Sequence, residues 1–176
     1  MKHLYSALGC LAAAGCMAAG PAFAQAPKTT GDQQFVNFAA QTDMVEANLG
    51  QLAQQNASNQ EVKSYGQMLV TDHTNDFGQL HTAAQQAGLT VPNAIDPAHN
   101  KALIDPLEKL KGAAFDKRYI AEMVKGHTQA IAIYKKEAAD GQNAAIKSYA
   151  AAALPVLQKH LDDAKAIEQG KTPPIQ

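Results

Sequence analysis

The feature that most constrains this chain is the recurrence of apolar residues every three or four positions in four long, separate segments. That spacing places the apolar side chains on one stripe of a helix, and the stripe must be buried against other helices. The pattern predicts helices over about 32–56, 58–88, 113–139 and 143–168. No segment alternates between apolar and polar residues as a half-buried strand would, so the chain is predicted to be all-α.

The connections between these helices predict how they are arranged. Ser58, with Glu61 three residues later, makes a capping box that starts the second helix directly after the first. An Asp-Gly pair at 140–141 ends the third helix close to the start of the fourth. Residues 89–100 contain two prolines and cannot continue a helix, and a short helix capped by Asp105 is expected to follow. Two tight hairpins joined by one long crossover predict a ferritin-like four-helix bundle.

The N-terminus has the features of a secretory signal peptide. Lys2 is followed by a short apolar stretch, Leu4 to Ala19, and Ala22-Phe23-Ala24 offers an A-x-A cleavage site. The protein is therefore expected to be exported to the periplasm with residues 1–24 removed. In an alternative interpretation, Cys16 is the acylated cysteine of a lipoprotein and anchors the domain to a membrane through lipid.

Cleavage after residue 24 divides the rest of the chain into a polar leader over 25–31, a bundle domain over 32–168 and a flexible tail over 169–176. It removes both cysteines, which excludes disulfides and thiol chemistry from the mature protein. It leaves 14 Lys and Arg against 16 Asp and Glu, a formal charge of −2, which does not attract nucleic acid. No later segment has the length of a transmembrane span.

Each long helix carries one ionisable side chain where its stripe calls for an apolar one, and a buried charge or imidazole must find a partner. Bundle cores hold metal ions with imidazoles and carboxylates from facing helices. Two aspartates lie one turn after histidines of this set and are expected to orient the ligands. The predicted metal site therefore comprises Glu46, His73, His127 and His160, with Asp76 and Asp163 around them.

Three interpretations of this polar set stay open at the sequence level. The side chains either form a structural hydrogen-bond network that sets the helix register, or bind one transition metal ion, or form a dinuclear redox site. A mononuclear site would suit Zn, Cu, Ni or Fe without choosing among them. The carboxylates are too few for the usual di-iron pattern, which needs Glu-x-x-His on two helices. The two main hypotheses are thus a non-catalytic envelope or stress protein and a metal-binding or metal-dependent oxidoreductase-like protein.

Two further features bear on the core and its surface. Four tyrosines stand at core spacing, which favours packing with a satisfied hydroxyl over redox work; they are Tyr65, Tyr119, Tyr134 and Tyr149. Pro155 lies inside the fourth helix and frees a carbonyl near Ala151, so it either opens a pocket before His160 or curves the helix around the core. The alanine-rich face at 150–153 predicts a surface for a homodimer or a partner helix.

Motifs in all four long helices also resemble a known family. They are Glu46 before Leu49 and Leu52-Ala53, Val62-Lys63 with Met68, Val70 and Asp72-His73, Phe115-Asp116 with Tyr119 and His127, and Leu154-Pro155 with Leu157 and His160. With these motifs the chain, from Phe35 to Ile167, is similar to the domain of unknown function 4142 family, exported bacterial proteins with a ferritin-like fold. The resemblance implies this fold and no activity, because the family has no agreed biochemical role.

Overall fold

The computed structural model of the protein describes residues 31–175, and these contain helices and no strand. The predicted signal peptide, Cys16 and most of the leader lie outside the described residues. Four long helices are joined by tight turns and by one crossover that contains short helical segments. The elements are α1 Gly31–Asn56, α2 Gln60–Ala87, α3 Pro97–His99, a π-helical turn Asn100–Ile104, α4 Asp105–Glu108, α5 Gly112–Asp140 and α6 Ala144–Glu168.

The four long helices form a ring in which α1 packs on α2 and α5, and α6 packs on the same two helices. Contacts along the helices show that neighbours are antiparallel. Tyr65 at the start of α2 donates a hydrogen bond to the carbonyl of His160 late in α6, whereas Tyr149 early in α6 donates to Asp76 further along α2. The crossover therefore joins the parallel, diagonal helices α2 and α5, which confirms the predicted all-α ferritin-like arrangement.

The core consists of two apolar clusters at opposite ends of the bundle. One surrounds Leu49 and Tyr119 near the turn between α1 and α2, and the other surrounds Phe35 and Tyr134 near the turn between α5 and α6. Along α1, α2 and α5, the residues of the two clusters are separated by a buried polar residue, and on α6 His160 lies at the same level, just before Leu161 of the second cluster. This polar layer is made of Asp43, His73, His127 and His160.

Two glycines allow α1 and α2 to approach each other closely between this layer and the turn that joins the two helices. A Cβ atom added to Gly66 would lie 2.7 Å from the Cβ of Ala53 and 2.8 Å from the carbonyl oxygen of Gly50. A Cβ on Gly50 would lie 2.5 Å from the carbonyl oxygen of Gly66. Backbones this close leave no room for a side chain, so the pair of glycines sets the distance between the two helices.

Two predicted helix caps are wrong, because a neighbouring residue or helix satisfies the backbone instead. Asn59, not Ser58, caps α2 by accepting hydrogen bonds from the backbone amides of the first turn. Ser58 donates its hydroxyl and its backbone amide to Asp116 at the start of α5, so a tertiary contact uses the serine. In the crossover, Asp96 rather than Asp105 is the cap, with Pro97 in the first helical turn.

The crossover lies along α1. Gln41 donates from its side-chain nitrogen to the carbonyl of Ala94 and accepts from the backbone amide of Asp96, at 2.9 and 2.8 Å. The predicted tail also contacts the bundle, since Ile175 packs against the cluster around Leu49 and Thr172 donates to Glu61. None of the helices in residues 31–175 is both long enough and apolar enough to cross a membrane.

Candidate metal centre

Three histidines from three helices meet in the polar layer. His73 of α2, His127 of α5 and His160 of α6 are each at most 2% exposed. One ring nitrogen of each lies within 4.8 Å of those of the other two, and Nε2 of His127 is 3.3 Å from Nδ1 of His160. The sequence predicted that these side chains turn inward, and the structure brings them together.

The hydrogen bond on the far side of each ring determines which nitrogen faces the centre. His127 donates from Nδ1 to the carbonyl of Met123 at 3.0 Å, so its Nε2 carries no proton when the ring is neutral. His73 Nδ1 is 2.9 Å from Oδ1 of Asp43, and His160 Nε2 is 2.9 Å from Oδ2 of Asp72. With the carboxylates accepting, the three inward nitrogens each present a lone pair.

Burial keeps the three rings neutral, which is the state that binds metal. Burial is the first cause that lowers the pKa of His127 to about 3, and it lowers the pKa of His73 well below its usual range. The neighbouring imidazoles lower both further. Burial also lowers the pKa of His160, although the hydrogen bond and the charge of Asp72 oppose the shift. Imidazolium is therefore disfavoured in this layer.

The carboxylate behind His73 belongs to a longer hydrogen-bonded chain. Asp43 is 1% exposed, and its pKa is raised well above its usual range by burial first and then by Asp76. Asp43 and Asp76 are hydrogen-bonded to each other, which requires one shared proton. Tyr149 donates to Asp76 at 2.6 Å, and its hydroxyl lies 3.3 Å from that of Tyr134. The chain thus extends from two tyrosines to the ring of His73.

A cleft between α2 and α6 reaches the histidines from the surface. It has a volume of about 170 Å³, and its lining includes His73 and His160 together with Asp72, Asp76 and Val156. Val156 follows Pro155 and is 44% exposed. The cleft therefore opens beside the proline, as one of the two sequence interpretations of Pro155 expected. Two of the three imidazoles therefore line a cleft that opens to the surface.

The spacing of the three nitrogens is close to that of a metal site. Imidazole nitrogens bind zinc at about 2.0–2.1 Å, which places two ligands of one ion about 3.3–3.6 Å apart for tetrahedral to trigonal angles. The distance of 3.3 Å between His127 and His160 falls in this range. His73 needs a movement of about 1.5 Å at most to join them, because no pair of these atoms exceeds 4.8 Å. Nε2 of His73 is buried and has no hydrogen-bond partner.

The other predicted site residues lie around this centre in different ways. Glu46 is 7% exposed, but its carboxylate is outside the group of ligand atoms formed by the three histidines. Asp76 contacts the centre through Asp43. Asp163 is paired with Lys159 at 2.8 Å and acts on His160 only through its charge.

Sequence reasoning missed the two carboxylates that hold the histidines, Asp43 and Asp72. Asp72 lies off the apolar stripe of α2 and is 34% exposed, but the ring of His160 reaches it from α6. Asp43 could have been found by counting residues from the turn between α1 and α2. His73 lies 13 residues after the start of α2 at Gln60, and Asp43 lies 13 residues before the end of α1 at Asn56. Residues equally far from an antiparallel turn lie at the same depth, whereas Glu46 is about 4.5 Å nearer the turn.

Comparisons with known proteins agree with the fold. Residues 18–167 match the family model described as a domain of unknown function, DUF4142. No curated protein is significantly similar to the chain in sequence.

Solved structures of similar fold include a metal-bound protein. CopM in its Cu(II)-bound form has a TM-score of 0.66 and 17% identity, with 79% of this chain and 96% of that chain covered. CopM co-crystallised with silver has a TM-score of 0.64 and 18% identity over the same shares. A DUF305 protein from Streptomyces coelicolor has a TM-score of 0.64 and 13% identity, with 84% and 99% covered. At these identities the likeness shows a common helical fold.

Proposed function

The chain belongs to the DUF4142 family, and we propose that after export it binds one copper ion with His73, His127 and His160. The observation that carries this proposal is the convergence of three unprotonated nitrogens in a buried layer. The inward nitrogens of His127 and His160 lie 3.3 Å apart, and neither has a proton to share when its outer hydrogen bond is made. Two lone pairs this close repel each other unless a cation lies between them.

Copper is favoured over other imidazole-binding metals by the fold comparison and by charge. Imidazole suits Zn, Cu, Ni and Fe alike, but the similar fold of CopM has been solved with Cu(I) and with Cu(II). The three ligands are neutral, and the charges around them come from Asp72 and from the pair Asp43–Asp76, which shares one proton. These two negative charges offset a monovalent or a divalent ion, so the site suits both oxidation states of copper.

We assign the protein a non-catalytic role in holding copper outside the cytoplasm. Export rests on the signal-like N-terminus and on the absence of cysteine from the chain after cleavage. The outer hydrogen bonds of all three rings are already made, so the ligands are oriented before the ion arrives. Such a preformed site fits a protein that sequesters or carries the ion.

The hydrogen-bonded tyrosines favour a second candidate, a metal-dependent oxidoreductase. The chain from Tyr134 through Tyr149 and Asp76 connects two oxidisable side chains to the ring of His73. The cleft beside His160 admits a small molecule. If this role is correct, copper-loaded protein supplied with dioxygen as the electron acceptor oxidises a phenol or a metal ion with turnover, and Tyr149→Phe slows that turnover without releasing copper.

Copper stoichiometry in matched variants tests the proposal. The exported protein is purified without an affinity tag, loaded with Cu(I) under a reductant, dialysed and measured by elemental analysis. We expect one copper per chain, and at least a hundredfold weaker binding in His73→Ala/His160→Ala. His81→Ala is the matched control, because His81 lies on the exposed side of α2 against Phe77. Circular dichroism verifies that each variant is folded.

Equal copper binding in the parent and in the double variant would overturn the proposal. Absence of copper from both proteins would support the alternative from the sequence, in which the buried polar residues form only a structural network. In that case the double variant should be less stable than the parent and neither should retain copper after dialysis.

A further inference from the structure

Glu46 lines a separate cavity on the other side of the bundle. The cavity lies between α1, α5 and the crossover and has a volume of about 190 Å³. Its polar lining consists of Gln41, Thr42, Glu46, His99 and Gln129. Neither Glu46 nor His99 belongs to the group formed by the three histidines.

The carboxylate of Glu46 has no partner that explains its burial. The side chain is 7% exposed, and its Oε2 is buried without a hydrogen bond. In residues 31–175, no lysine, arginine or histidine makes an ion pair with it. Burial alone raises the pKa of Glu46 to about 8. A buried carboxyl group normally has hydrogen-bond partners or a cation beside it.

The crossover presents a second unpartnered group to the same cavity. Nδ1 of His99 is buried and makes no hydrogen bond. His99 is followed directly by the π-helical turn Asn100–Ile104, a local geometry that is rare and often found at functional sites. The two hydrogen bonds of Gln41 to residues 94 and 96 hold this segment against α1. The segment that carries His99 is therefore held against the helix that carries Glu46, and both residues line the cavity.

Gly126 leaves space beside the carboxylate on the α5 side. A Cβ added at Gly126 would lie 3.4 Å from Oε1 of Glu46, so a larger side chain would fill the room next to it. A carboxylate, an imidazole and nearby hydroxyl and amide oxygens form a mixed oxygen and nitrogen ligand set. Such sets suit divalent first-row ions, with water completing the coordination.

We propose that this cavity is a second cation site, in which Glu46 and His99 bind a divalent transition metal ion such as Zn²⁺. The site is distinct from the three histidines in position and in ligand chemistry. Its ion balances the charge of the Glu46 carboxylate, which no basic side chain of the described residues does. The proposal does not depend on copper binding at the other centre.

Zinc stoichiometry separates the two sites. Equilibrium dialysis against Zn²⁺, followed by elemental analysis, is expected to give two ions per parent chain, because three imidazoles also bind zinc. Glu46→Gln and His99→Ala should each bind one ion, at the three histidines. His73→Ala/His160→Ala should also bind one ion, at Glu46 and His99. Adding His99→Ala to that double variant should abolish binding. Glu122→Gln is the control, since Glu122 pairs with Arg118 on α5, and it should keep two ions.

Retention of two zinc ions by both Glu46→Gln and His99→Ala would overturn the second site. A single ion in the parent that is lost only with His73 and His160 would overturn it as well, while leaving the copper proposal standing. His99→Ala guards against a folding artefact, because His99 lies in the crossover and outside both apolar clusters.

Discussion

The two polar centres of the bundle differ in how their buried atoms are satisfied. Around His73, His127 and His160, every ring donates a hydrogen bond on its outer side, to Asp43, a backbone carbonyl or Asp72. Around Glu46, Oε2 of its carboxylate and Nδ1 of His99 both lack a hydrogen-bond partner. The histidine centre is organised before any ion binds. The centre at Glu46 has unpartnered buried polar atoms, and the free-energy cost of their burial must be offset by an ion or a proton.

This difference shows that burial alone does not identify the function of a polar residue. Glu46 and His73 are buried to a similar degree. Outer hydrogen bonds fix the ring orientation of His73, so its free nitrogen is aimed at a ligand. Glu46 has no such support, so protonation competes with binding. The two centres should therefore respond differently to pH, to helix spacing and to loss of a neighbouring charge.

The largest expected difference is in the pH dependence of stability without metal. Burial raises the pKa of Glu46 from 4.5 to about 8, so the folded state holds a proton that the unfolded state has released. Its stabilising contribution is complete below pH 4.5 and is lost as pH rises towards 8, at about 1.4 kcal/mol per pH unit. Glu46→Gln removes this dependence, so the variant should lose less stability than the parent between pH 5 and 8.

Chemical denaturation in the presence of a chelator measures this change at each pH. Glu122→Gln is the matched control and should keep the slope of the parent, because Glu122 lies in a surface ion pair. If the free energy of unfolding changes with pH in the same way in the parent and in Glu46→Gln, then Glu46 is ionised in the folded protein.

A smaller effect is expected from changing the spacing of α1 and α2. Gly66→Ala places a Cβ 2.7 Å from that of Ala53, and overpacking of this kind costs about 1–3 kcal/mol. The helices must separate, which moves Asp43 away from His73 and weakens copper binding at the histidine centre. Gly78→Ala on the same helix meets no atom within 4 Å and should stabilise the protein by about 0.5–1 kcal/mol.

Thermal unfolding and copper competition on both glycine variants provide the comparison. Equal stability of Gly66→Ala and Gly78→Ala would show that the close helix contact is not required.

The smallest effect is expected from removing one charge behind a ligand. Asp43→Asn keeps the shape of the side chain but removes the carboxylate that accepts from His73, and changes of this type typically weaken metal binding about 10- to 100-fold. Competition with a Cu(I) chelator measures the shift. Asp163→Asn tests the sequence prediction that Asp163 also orients the site, and its pairing with Lys159 leads us to expect less than a threefold change.

The fold was predictable because its determinants are local. Apolar spacing marks the four long helices, Gly88 adopts the left-handed conformation that ends α2, and the prolines of the crossover prevent a continuous helix. The caps at Ser58 and Asp105 were not predictable in this way. Ser58 donates its hydroxyl to Asp116 of α5 instead of capping α2. Asp105 does not cap a helix because the helical segment of the crossover already begins after Asp96.

The candidate site was predictable only in part. His73, His127 and His160 stand out as polar residues on apolar stripes, and the structure brings them together. Glu46 stands out equally, but periodicity reports the face of a helix and not the depth along it. Asp43 comes one turn after two small buried residues, Ala39 and Ala40, so it did not interrupt a stripe of large apolar residues. Its role depends on how α1 and α2 are aligned along their length, and the apolar spacing within one helix carries no information on that alignment.

The ligands of the histidine centre come from both hairpins, since His73 belongs to the first and His127 and His160 belong to the second. An ion held by all three adds a further link between halves of the chain that otherwise meet through packing and a few hydrogen bonds. Binding to the folded state at a free ion concentration 100 times the dissociation constant stabilises it by about 2.7 kcal/mol. Amide hydrogens of α2 and α6 where the two helices pack together should then exchange with solvent more slowly. The supply of metal would therefore govern how long the protein survives proteolysis.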